Sequence, residues 1–135
     1  MPPCNIARYQ ELNGVVPFDD WLESLTRPSK SQNLPAAAKL KALVGRLATD
    51  GHTLQRPTSA PLRDGMHELR ATVLKVNFRI LYFFAGPGVA LLAGGCTKEG
   101  AVPRAEIDRA VARRLAYEAD PIAHTAPPLT PLKQH

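Results

Sequence analysis

Two arginines stand symmetrically about a short break in the most apolar part of the chain. Arg70 lies in the run from His67 to Val76 and Arg79 in the run from Asn77 to Ala85. Both runs have the composition of β-strands, so we expect a hairpin with its turn near Leu74–Asn77. The two guanidinium groups then lie across from each other, which is unfavourable without an anion. A guanidinium stays charged and its planar fork matches the oxygens of anions such as carboxylate and phosphate, so the facing pair is a hint of anion binding.

Polar neighbours of this pair have alternative roles. Glu68 shares the face of Arg70 in an alternating strand, where it is either a base or an ion-pair partner for Arg79. His67 is a natural acid or base near neutral pH, but alternation puts it on the opposite face, which favours packing. Lys98 follows the last predicted strand. Its candidate roles are to bind phosphate or to act as an acid, and the alternative is a solvated loop lysine without a function.

The charge of the chain is concentrated in its middle. The 135 residues carry a formal net charge of +5, and residues 36–82 hold eight Lys or Arg against three Asp or Glu. Such an excess favours polyanionic partners, although an ordinary solvated surface is equally compatible with it. Cys4 and Cys96 form neither a disulfide framework nor a zinc motif, so we expect no metal and a reducing cytoplasm. No signal peptide or membrane-spanning stretch is expected.

Apolar periodicity predicts the elements that position these residues. The predicted elements are a weak strand within residues 5–13, a helix from Pro17 to about Arg27, a helix from Leu34 or Pro35 to Asp50, the two hairpin strands, a short strand from Val89 to Leu92, and a helix from Pro103 to Glu118.

The predicted order is β-α-α-β-β-β-α, an α+β domain with a small antiparallel-rich sheet packed against helices. Residues 51–66 are expected to form an extended loop. We expect one domain over residues 1–119 and a flexible, proline-rich tail without packed structure over residues 120–135.

A family resemblance rests on an ordered set of short matches. The stretch from Gly65 to Arg70 and the strand from Asn77 to Phe84 resemble the RelE/ParE toxin superfamily, most of all its phage-derived HigB-like branch. Further matches follow in the same order, at Thr97-Lys98, Val102-Pro103, Glu106-Ile107 and Ala110. The resemblance covers about residues 5–118.

This resemblance implies the toxin of a type II toxin–antitoxin system. Its activity would be ribosome-dependent, metal-independent cleavage of mRNA without a cofactor. Its partners would be a cognate antitoxin, expected to be a helix-turn-helix protein, together with the ribosome and mRNA in the cytoplasm. The implied catalytic residues are Arg70, Arg79 and Lys98, with Glu68 and His67 as candidate acid or base.

Further cations are candidate RNA contacts. They are Lys75 at the hairpin turn and Arg104, Arg109 and Arg113 on the last helix. On the second helix Lys39, Lys41 and Arg46 face away from the apolar stripe. Such runs are most often solvated helix faces, and they equally suit ribosomal RNA or an acidic antitoxin.

Two other functions remain open. One is a ParE-like protein that inhibits DNA gyrase without catalysis, since fold alone does not decide function. The other is a degenerate toxin that only binds a partner, because Cys96 and Glu99 stand where the superfamily has an aromatic residue and a second lysine. Arg70, Arg79 and Lys98 together favour the nuclease.

Overall fold

The computed structural model describes residues 4–26, 33–54, 58–86, 88–98 and 102–127, with Leu34 and Lys98 described by their backbone alone. The described part of the chain forms three α-helices and a five-stranded sheet. These elements are β1 (Asn5–Arg8), α1 (Pro17–Ser24), α2 (Asn33–Asp50), β2 (Ser59–Pro61), β3 (His67–Val73), β4 (Val76–Phe84), β5 (Val89–Lys98) and α3 (Arg104–Ala119). The α+β class is as predicted.

The sheet has the strand order β1-β5-β4-β3-β2. β1 runs parallel to β5, and the other neighbouring strands are antiparallel. β4 is buried over most of its length, as expected of a central strand covered on both faces. The hairpin that carries both arginines therefore lies within the sheet rather than at its margin.

Helices cover both faces of the sheet. α1 and α2 pack on one face around Leu40, Leu47 and Phe78, and α3 packs on the other around Ala110 and Phe83. Because alternate residues of a strand point to opposite faces, each strand contributes to both cores. The arginines share the face of Leu81 and Phe83, which is the α3 face.

Local sequence explains the helix ends. Pro17 occupies the first turn of α1, with Asp19 and Asp20 near the positive end of the helix dipole. Gly51 follows α2 with a φ of 54°, a left-handed conformation that glycine adopts without strain. The predicted end of the first helix near Arg27 falls outside the described residues.

Two strands differ from the prediction. β2 lies within the segment predicted to be a loop. The prediction missed this strand because three residues that end in a proline are too few to show alternation. Its last residue is Pro61, which is tolerated on an edge strand. β5 continues past the predicted end at Leu92, through Gly94-Gly95, to Lys98. The glycines allow close approach, since a Cβ on Gly95 would lie 2.2 Å from the Trp21 ring and one on Gly94 2.7 Å from the Arg113 guanidinium.

The segment after α3 also differs from the prediction. Residues 120–127 were expected to lack packed structure, yet Thr125 bridges Tyr9 and the amide of Ala126 donates to Arg8 O at 2.8 Å. His124 is buried and stacks on the Tyr9 ring, with centroids 5.1 Å apart. This segment pairs with β1 at the edge of the sheet. Its proline content led to the prediction of an unpacked tail, because pairing with a distant strand cannot be read from local composition. Residues 128–135 of the predicted tail lie outside the described residues.

Candidate active site on the hairpin of β3 and β4

The hairpin places Arg70 directly opposite Arg79. Its turn is formed by Leu74 and Lys75, with φ values of 53° and 69°. Two residues in this conformation give the twist that antiparallel strands need, so the register is fixed by the turn. The predicted juxtaposition of the two arginines is confirmed.

One carboxylate lies between the two guanidinium groups. Glu68 Oε2 accepts hydrogen bonds from Arg70 Nε at 3.1 Å and from Arg70 Nη2 at 2.6 Å. The other oxygen, Oε1, lies 3.0 Å from Arg79 Nε. Since a single negative charge serves two positive ones, the cluster keeps a net positive charge. The ion-pair role considered for Glu68 is therefore what the structure shows.

Burial divides this cluster into an inner pair and an outer group. The side chains of Arg79 and Glu68 are 5% and 4% exposed, whereas that of Arg70 is 36% exposed. Arg79 Nε and Nη1 are both buried without a hydrogen-bond partner among the described residues, so the contact of Nε with Glu68 is an ion pair and not a hydrogen bond. A buried charge is costly unless it is paired, so Glu68 is required by Arg79. Arg70 is therefore the more solvent-accessible of the two guanidinium groups.

The geometry therefore gives the two arginines different tasks. Arg70 presents its Nη1 group away from the contact with Glu68, which uses Nε and Nη2. Arg79 holds Glu68 from the inner side, and Glu68 in turn holds Arg70. Fixing a flexible cation before the substrate arrives lowers the cost of ordering it later. Among the described side chains, Arg79 is thus linked to Arg70 only through Glu68.

β5 brings the backbone of Lys98 to the same end of the sheet. Cys96 pairs with Arg79 in the ladder, and Lys98 pairs with Asn77 two residues further along. Two residues of a strand span about 6.6 Å, so Lys98 is placed in the next row beyond the arginines. Cys96 is buried, as expected of a small core residue. Glu99 falls outside the described residues.

His67 lies apart from the arginines on the other face of β3. Its ring stacks on Tyr82 with centroids 5.3 Å apart and meets the edge of Phe84 at 5.4 Å. Burial lowers the pKa of His67, with His52 and Arg114 adding in the same direction. The structure does not bring this histidine to the cluster, in agreement with the expectation from alternation.

The remaining predicted RNA contacts have different surroundings. Lys75 is exposed at the hairpin turn, and Arg104 is exposed at the start of α3. Arg109 pairs with Glu106 at 2.9 Å, one turn away on the same helix. Arg113 donates to Ala93 O at 2.9 Å, and its Nε lies 3.7 Å from Glu11, so it ties α3 to β5 and to the loop after β1.

A second polar cluster on the β1 side was not foreseen. Tyr9 donates to Glu11 at 3.1 Å, and burial together with this carboxylate raises the pKa of Tyr9 to about 12. Arg8 pairs with Asp19 and donates to Pro127 O. Its partners are distant in sequence, and only the alternation of Ile6, Arg8 and Gln10 hinted at a shared face. The cluster fastens the C-terminal segment to β1.

A groove of about 540 Å³ lies beside this cluster, on the α1 and α2 side of the sheet. It is lined by Ile6, Arg8, Phe18, Lys41 and Val44 among others. Among the predicted catalytic residues whose side chains the structure describes, neither Arg70 nor Arg79 lines it. Within the described ranges, no three His, Cys, Asp or Glu side chains converge as a metal-ligand set. No described helix is both long and apolar enough to span a bilayer.

Most of the chain matches one known protein family. Residues 20–115 match the family described as phage-derived protein Gp49-like (DUF891). The chain belongs to this family. The Gp49-like family is a toxin-like family of the kind found in toxin–antitoxin systems. The match includes the arginine hairpin and most of α3 but leaves out β1 and the C-terminal segment. No curated protein matches the chain.

Proposed function

We propose that this Gp49-like protein is the toxin of a type II toxin–antitoxin system, and that it cleaves mRNA on the ribosome in the manner of HigB and RelE. The observation that carries the proposal is the facing pair of Arg70 and Arg79 with Glu68 as their shared counter-ion. This arrangement leaves an oriented, solvent-accessible guanidinium with positive charge in excess, which suits a phosphodiester.

The proposed reaction is a transesterification within the RNA. The 2′-oxygen of a ribose attacks the adjacent phosphorus and loses its proton, while the bond from phosphorus to the 5′-oxygen breaks. The leaving oxygen gains a proton, giving a 2′,3′-cyclic phosphate and a 5′-hydroxyl. Arg70 would stabilise the extra charge on the phosphorane, which is commonly the largest catalytic contribution. Lys98 is the candidate for protonating the leaving oxygen.

Glu68 is better suited to positioning than to proton transfer. Both of its oxygens are engaged by guanidinium groups, and its side chain is 4% exposed. A base must reach the proton that it removes, and a buried carboxylate held on both sides does not. The proposed partners are the ribosome and mRNA for activity, and a helix-turn-helix antitoxin for neutralisation.

A second candidate function is favoured by the burial of Arg79. A gyrase inhibitor or a partner-binding protein would need the Glu68–Arg79 pair only as part of its core. Expression in cells separates the two functions. The nuclease predicts that protein synthesis stops within minutes of induction and that mRNA is cut inside reading frames, with 5′-hydroxyl ends.

Intact mRNA with an SOS response and altered plasmid supercoiling would instead identify a gyrase inhibitor. The Arg70→Gln variant serves as the internal control, since it removes the accessible cation and keeps the buried pair. Growth arrest that persists unchanged in this variant would exclude the proposed site.

A further inference from the structure

Two cations of α2 contact the outer side of the sheet, one at β3 and the other at the residue just before β2. Lys39 Nζ donates to Thr72 O at 3.3 Å, and Arg46 Nη1 donates to Thr58 Oγ1 at 3.2 Å. The two residues are seven positions apart, which places them on one face of the helix. α2 therefore places two positive charges along the outer margin of the sheet, at β3 and at the start of β2.

The edge of β3 is only partly covered by another strand. β2 pairs with His67 to Leu69, and the amide of Arg70 donates to Thr58 O at 3.0 Å. Beyond that point, Lys39 binds the carbonyl of Thr72. A lysine on an open edge opposes the addition of a further strand, so this edge is poorly suited to a peptide.

The cations here keep their charge available. The contacts of Lys39 and Arg46 are to a carbonyl and a hydroxyl, both of which are neutral. Lys75 is exposed at the turn that ends β3, and Arg70 is the outer guanidinium of the candidate active site. We call these four residues, Lys39, Arg46, Arg70 and Lys75, the basic edge.

We infer that the basic edge is a binding surface for the phosphate backbone of an RNA strand, which passes from Arg70 on the α3 face around the open edge of β3 to Lys39 and Arg46 on the α2 face. The inference rests on the proposed nuclease function for the identity of the polyanion. Lys39 and Arg46 are about 10 Å apart along the helix axis. The surface would hold nucleotides that flank the reacting phosphate.

The composition of the edge favours a nucleic acid over an acidic protein. Protein interfaces have an apolar centre, whereas phosphate binding needs cations alone. Among the exposed large hydrophobic residues of the described chain, only Leu74 falls at this edge. Lys41 provides the contrast, since it is exposed on the same helix but lines the apolar groove on the β1 side.

The test measures binding without cleavage. The probe is a fluorescent single-stranded RNA of about 12 nucleotides, within the span of known single-strand sites. It carries 2′-O-methyl groups throughout, so that the attacking hydroxyl is absent. Anisotropy gives the affinity of full-length protein at several salt concentrations. The variants are Lys39→Gln, Arg46→Gln and their double, with Lys41→Gln as the matched control of equal charge.

We expect each edge variant to lower the affinity about fivefold at about 0.1 M salt, and the double about 25-fold, since each phosphate contact on a single strand contributes about 0.7 to the salt slope. Lys41→Gln should bind like the wild type. Equal losses for Lys39→Gln and Lys41→Gln would overturn the inference, because the effect would then be one of net charge.

Poly-L-glutamate tests the competing occupant. Poly-L-glutamate could displace the RNA at equal charge concentration, and Lys39→Gln could weaken its binding as much as that of RNA. In that case the edge serves an acidic protein and the inference is wrong. The two proposals also fail separately. If the protein binds RNA through the basic edge but leaves mRNA intact, only the nuclease proposal is overturned. If it cuts mRNA but the Lys39 and Arg46 variants bind RNA like the wild type, only the basic edge is overturned.

Discussion

Arg70 and Arg79 face each other across β3 and β4, yet the side chain of Arg70 is 36% exposed and that of Arg79 only 5%. Glu68 contacts both groups, since it pairs with Arg79 in the interior and with Arg70 towards solvent. Two arginines that are equivalent by register are therefore unequal in burial. Replacing each of them tests a different property of the protein.

Arg70→Gln should strongly reduce mRNA cleavage with little effect on folding. Removing one preorganised donor to a developing charge commonly costs 10²–10³-fold in rate, so we expect mRNA cleavage to fall by about that factor. Because Arg70 is partly solvated, its ion pair should contribute less than about 1 kcal/mol to the free energy of unfolding. Ribosome-dependent cleavage and urea denaturation provide the two measurements. Lys41→Gln is the control, and an equal fall in its cleavage rate would contradict the assignment.

Arg79→Ala should destabilise the protein by about 3–5 kcal/mol, since it leaves the Glu68 carboxylate buried without its inner partner. Growth arrest lost in this variant would then report unfolding rather than catalysis. The double variant Arg79→Met/Glu68→Leu replaces the pair by apolar groups and should recover most of that stability. If Glu68 positions Arg70, the folded double variant still cleaves mRNA slowly. A folded double variant with full activity would show that the pair is purely structural.

The arrangement of side chains on the hairpin could be predicted from sequence because it depends on residues that are close together in the chain. The symmetric spacing of Arg70 and Arg79 fixes their register once the turn is placed, and alternation puts Glu68 beside Arg70. The burial of Arg79 was not accessible, since it depends on how distant segments cover one face of the sheet. The glycine pair Gly94-Gly95 was interpreted as the end of a strand, whereas it accommodates side chains of α1 and α3.

The C-terminal segment illustrates the same limit and gives a third prediction. His124 stacks on Tyr9, and its Nδ1 lies 2.8 Å from Gln10 O. Losing one aromatic contact and one hydrogen bond together costs about 1–3 kcal/mol, so His124→Ala should lower the urea midpoint. Ile122→Ala is the matched control, because Ile122 is 90% exposed in the same segment. Equal midpoints for both variants would mean that the segment adds no stability.

His67 predicts how stability depends on pH. Burial lowers the pKa of His67 below its ordinary value of 6.5, so the unfolded chain binds a proton more readily than the folded one. The free energy of unfolding should therefore decrease as the pH falls below 6.5, until the folded pKa is reached, with a slope of at most about 1.4 kcal/mol per pH unit. Urea denaturation from about pH 7 to about pH 5 measures the slope. His67→Gln should reduce it, and an unchanged slope would assign the effect to other groups.

One substitution in the turn between β3 and β4 is expected to raise stability and to lower RNA affinity. Leu74 and Lys75 both have positive φ, a conformation that costs an L-residue about 1–2 kcal/mol and that glycine adopts freely. Lys75→Gly should therefore raise the free energy of unfolding by up to about 1 kcal/mol. The same variant removes one cation of the basic edge, so its affinity for the 2′-O-methyl RNA should fall about fivefold at about 0.1 M salt. Leu74→Asn is the control, since asparagine also favours this conformation and leaves Lys75 in place. Stability and RNA affinity that rise together in Lys75→Gly would contradict the role of Lys75 in the basic edge.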